Sequence, residues 1–139
     1  KSWERRGCKE LYSRFTPKTR VVAFGFHPQV LDMACSAQSY YDITGSGGDV
    51  YLVKKLAYFE EYLKWAGTEY IYVQAGYLAD QPRATQIIED MIAEGTLRDL
   101  TFEWGNMLAK VDLDHPFKEP DERLVQLFRD NYSMEKNGN

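Results

Sequence analysis

Asp112-Leu113-Asp114-His115 is a stretch whose residue types and spacing suit chemistry. In an extended segment, residues two apart point to the same side, so the two carboxylates would stand together. Such a pair suits a hard divalent cation, Mn²⁺ or Mg²⁺, that also carries substrate phosphates. His115 adds a third possible ligand; a solvated acidic strand end would show the same residues. A second constellation, Gly45-Ser46-Gly47-Gly48, precedes a helical pattern. Gly45, Gly47 and Gly48 would let backbone N–H groups converge on an anion at the helix N-terminus. The spacing matches neither the P-loop nor the dinucleotide fingerprint. Asp49 would repel a phosphate while capping the helix, so a plain flexible connection is the competing reading. His27 follows the apolar run Val21-Val22-Ala23-Phe24-Gly25-Phe26. Strand C-termini in open α/β sheets face the ligand crevice, where a lone His would serve as a general base; a surface residue held by Pro28 fits equally.

The elements that must position these residues centre on Val50 to Trp104. Leu52, Leu56, Phe59, Leu63 and Ala66 fall at three- and four-residue steps and share one helix face. Gly67 stands where a left-handed cap is usual. Tyr70–Val73 is a short β-branched and aromatic run, the mark of a strand. Pro82 opens a second helix with Asp80 as a plausible cap; Ala84, Ile87, Ile88, Met91 and Ile92 form its stripe, and Gly95 closes it. Leu97 to Trp104 alternates as a strand.

Upstream, Lys1 to Phe15 reads as a short helix, and Arg20 to Phe26 as a central strand covered on both faces. Downstream, Met107 to Leu113 reads as a strand. Asp121 to Tyr132 reads as a last helix with Leu124, Leu127 and Phe128 inward, and Ser133 to Asn139 as a frayed polar tail. Helix, strand, helix, strand with short joins predicts an α/β fold: one three-layer, Rossmann-like domain with a mainly parallel central sheet. If residues 107–113 ran parallel to Tyr70–Val73, Asp112 and Asp114 would gather near Gln74. A hairpin at Gly105-Asn106 would carry Asp112 to the opposite edge.

The 139 residues make one domain or a piece of a larger protein. A net charge of −4 with no basic patch argues against nucleic acid as partner. Cys8 and Cys35 lack metal-binding spacing; Cys35 reads as a small buried hydrophobe, with a disulfide between the two left open. There is no apolar run long enough for a membrane span and no signal peptide. A soluble protein is expected, cytoplasmic if anything, and the missing initial Met fits removal of something upstream.

Roughly residues 36 to 130 resemble the glycosyltransferases of family 92, which have the nucleotide-sugar-binding glycosyltransferase A fold. The likeness lies in Phe59-Glu60-Glu61-Tyr62-Leu63-Lys64-Trp65-Ala66-Gly67, then Glu69-Tyr70-Ile71-Tyr72-Val73, then Ile92-Ala93-Glu94-Gly95 and Phe102-Glu103-Trp104. Ser39-Tyr40-Tyr41-Asp42 is similar to an upstream aromatic-Asp segment, and Asp112-Leu113-Asp114 to the family's Asp-x-Asp metal motif. The resemblance implies a nucleotide-sugar donor and metal-assisted glycosyl transfer. The resemblance places Asp112 and Asp114 at the metal and Gln74 near the nucleotide; with the residues read above, the candidate metal ligands are Asp112, Asp114 and His115, and the candidate substrate contacts Gln74, Asp80, His27, Gly45, Gly47 and Gly48. Gln74 stands where the family has an acidic residue, His115 where it has an acid or amide, and the stretch from Trp104 to Asp112 is shorter than the family's.

A second likeness is to SGNH-type esterases, in Val21 to Gly25, in Thr44 to Asp49 and in Asp112-x-x-His115 before a terminal helix. The nucleophilic serine expected after Gly25 is replaced by Phe26-His27, and Gly76-Tyr77-Leu78 stands where an oxyanion Asn is expected, so this would be a degenerate esterase. The rival in another class is a non-catalytic binding or interaction domain, with a protein partner.

Overall fold

The computed structural model describes residues 20–25 and 55–135. Along the chain run β1 (Val21–Phe24), α1 (Leu56–Ala66), β2 (Tyr70–Val73), α2 (Pro82–Glu94), β3 (Leu97–Glu103), β4 (Asn106–Val111) and α3 (Glu122–Asn131). The expected N-terminal helix, Cys8, Cys35, His27 and the glycine loop lie outside the described residues, as does the beginning of the stripe at Leu52.

Local chemistry accounts for most boundaries. α1 buries Phe59, Tyr62, Leu63 and Ala66 and ends at Gly67, whose φ of 63° is the left-handed cap. α2 begins with Pro82 at its first turn, where a missing N–H costs nothing, and ends at Gly95 with φ 82°. Asp80 does not cap it. Gln81 holds that position, while Asp80 is exposed in the preceding turn with φ 62°. A short polar side chain tolerates that left-handed backbone, and the same backbone keeps Asp80 out of the cap position. In α3, Asp121 is the cap, its Oδ1 accepting from Arg123 N–H at 3.0 Å. The inward face is Val125 and Phe128, continued by Tyr132. Leu127, expected inward, is 42% exposed, because the 125, 128, 132 row fixes the helix rotation.

The sheet corrects the expected fold class. Strand order is β1-β2-β4-β3. β1 and β2 are parallel, with Val22 opposite Ile71, but β2 and β4 are antiparallel, with Ile71 opposite Ala109, and so are β3 and β4. It is a mixed sheet with one parallel pair, not a mainly parallel Rossmann-like one. The cause is the β3–β4 turn. Trp104 and Gly105 have φ values of 57° and 80°, the left-handed pair of a two-residue hairpin turn, which holds its strands adjacent and antiparallel. α2 still joins two strands of like direction, β2 and β3, but β4 lies between them.

Nor do the described helices flank the sheet on both faces, as the expected three layers would. Val22, Phe24, Ile71, Val73, Met107 and Ala109, from one sheet face, form a single cluster with the buried residues of α1, α2 and α3. All three described helices therefore pack on that face. Phe24 meets the Phe59 ring at 5.7 Å and the Tyr77 ring at 5.9 Å between centroids. Phe59, Leu63, Ile71 and Ile88 are buried there, and Phe102 is partly buried against them. No described helix is long and apolar enough to cross a membrane.

Candidate functional site

The two edges of the sheet hold different residues. At the edge where β1 and β2 end stands Gln74, 8% exposed, its N–H donating to Phe24 O at 2.8 Å. The Tyr132 hydroxyl, brought in by the end of α3, donates to Gln74 O at 2.6 Å and accepts from Leu78 N–H at 3.2 Å. Burial pushes this phenol up to about 12. Ala75 N–H donates to Asn106 Oδ1 at 2.8 Å, while Asn106 Nδ2 reaches back to Glu103 O at 3.0 Å. Ser133, at the start of the expected frayed tail, accepts from Gly76 N–H at 2.8 Å and donates to Gly105 O at 2.9 Å. The chain's own hydrogen bonds thus tie the β2 exit, the hairpin and α3 together. Buried polar groups need such partners, and they occupy the backbone beside Gln74.

The acidic motif lies at the other edge, which corrects the expectation that Asp112 and Asp114 gather near Gln74. Because β4 runs against β2, Tyr70 faces Lys110, and Val111 N–H donates to Glu69 O at 2.9 Å. Asp112 leaves the sheet where β2 begins, its own N–H donating to Thr96 O at 2.9 Å. One carboxylate oxygen pairs with His115 Nδ1 at 2.9 Å and the other with Arg98 at 3.6 Å. The His115 hydrogen bond, helped by the charges of His115 and Arg98, holds the Asp112 carboxyl below its usual range. Asp114 is exposed beside them.

Arg98, from β3, organises this edge. Its Nε donates to Gly95 O at 2.6 Å, a terminal amino group donates to His115 O, and the guanidinium lies 4.9 Å from the Phe117 ring centroid. Phe117 N–H donates to Glu94 O and Asp121 N–H to Ala93 O, each at 2.8 Å. Residues 112–121 are thereby lashed across the end of α2, satisfying carbonyls that a helix C-terminus leaves open. Gly95 is required here, since a Cβ would come within 2.7 Å of the Phe117 ring. A similar device serves α1, where Arg20 Nε donates to Ala66 O at 2.7 Å.

Chemically, the edge offers an imidazole, 77% exposed, with one nitrogen fixed by a carboxylate. Both Asp112 oxygens already have partners, so a cation there would have to displace Arg98 or His115. Among the described residues no group of three or more His, Cys, Asp or Glu side chains is placed to hold a metal ion. The Asp112–His115 pairing fits the esterase likeness in contact but not in place. It stands at the edge opposite Gly25, after which that likeness would seat the nucleophile. Asp80 lies exposed in the turn between β2 and α2. Arg98, Asn106 and Tyr132 have the widest bonding roles, and their types alone carry no signal for them. No family model, curated protein or solved structure matches the chain.

Proposed function

We propose that the chain is a non-catalytic binding or interaction domain on a mixed α/β fold. The observation that carries this is the place of Asp112: at the sheet edge away from Gln74, with its carboxylate engaged by His115 and Arg98. Asp112, a candidate metal ligand, is engaged by the residues that fasten 112–121 over the end of α2, which supports this reading. A protein partner suits the exposed aromatic side of α1, where Trp65 is 75% and Tyr58 44% exposed, since such residues dominate interface hot spots. Thermal unfolding with Mn²⁺ and a uridine diphosphate sugar tests the proposal. No shift is expected. A shift in the wild type that Asp112→Asn/Asp114→Asn abolishes would overturn it.

The second reading is nucleotide-sugar glycosyl transfer. It is favoured by the order α1 ending at Gly67, β2, α2 ending at Gly95 and β3 ending just before Trp104, the order the family 92 resemblance implies. A Mn²⁺ or Mg²⁺ ion at Asp112 and Asp114 would neutralise the diphosphate leaving group. That outcome of the same titration would support this reading.

A further inference from the structure

We draw no further inference here: the strongest candidate, the open cavity of about 450 Å³ between α1 and α2 lined by Lys55, Leu56, Arg83, Ile87 and Asp90, offers an anion two surface cations and the α2 N-terminus against one carboxylate, and nothing in the structure shows what fills it.

Discussion

Replacing Arg98 by Ala removes the side-chain contacts that help fasten residues 112–121 across the end of α2, and leaves the backbone bonds of Phe117 and Asp121 in place. Two of the contacts removed are charged hydrogen bonds, to Gly95 O and His115 O. Each would contribute about 1.5–3 kcal/mol in full burial, reduced to about 1 kcal/mol here because the side chain is 30% exposed. The guanidinium over Phe117 adds about 0.5–1 kcal/mol. The Asp112 ion pair is open to solvent and is left out of the sum. The expected loss is about 2–3 kcal/mol, read as a lower midpoint in urea at unchanged slope. Arg98→Lys keeps the charge but not the planar fork, so it should recover less than half of that loss. A loss under about 0.5 kcal/mol in Arg98→Ala, or full recovery in Arg98→Lys, would refute the fastening role.

Tyr132→Phe strands the buried Leu78 N–H and removes a donor from Gln74 O; it should cost about 1–3 kcal/mol, measured by the same denaturation. Asp112 has a folded pKa below its unfolded value, so its contribution is present above the unfolded value of about 4 and is lost as pH falls through the folded one. The difference in Tm between wild type and Asp112→Asn should therefore be present at pH 7 and shrink toward zero on acidification below about pH 4; a difference that is the same at both would contradict it.

Elements were legible in the sequence where one residue type sets a local backbone state. Gly67 and Gly95 mark left-handed caps, Pro82 marks a first turn, and the apolar spacing of Phe59, Leu63, Ile88 and Ile92 marks buried faces. Pairing was legible only as two alternatives, parallel strands or a hairpin near Gly105, because an alternating strand reads the same in parallel and antiparallel partners; the structure has the hairpin. The turn that decides it uses Trp104, a bulky residue that rarely takes a positive φ, one position before the Gly105-Asn106 that turn chemistry suggests. In α3, Leu124, Val125, Leu127 and Phe128 allow two rotations, and the place of Tyr132 against β2 agrees with only one. The acidic motif was legible as residues but not as a site. The role of Asp112 depends on Arg98, Gly95 and Phe117, which are brought together only when the chain after β4 returns across α2.

The antiparallel register of β2 and β4 separates Asp112 from Gln74, and a cross-link measures it directly. Tyr70 and Lys110 stand opposite each other, and directly opposed residues have Cβ atoms about 4.5–5.5 Å apart. With Cys8 and Cys35 changed to Ser, Tyr70→Cys/Lys110→Cys should form an intramolecular disulfide under mild oxidation while the fold is retained. Val73→Cys/Lys110→Cys should not. The reverse outcome, a bridge from position 73 and none from position 70, would mean parallel strands, with Asp112 and Gln74 at one edge.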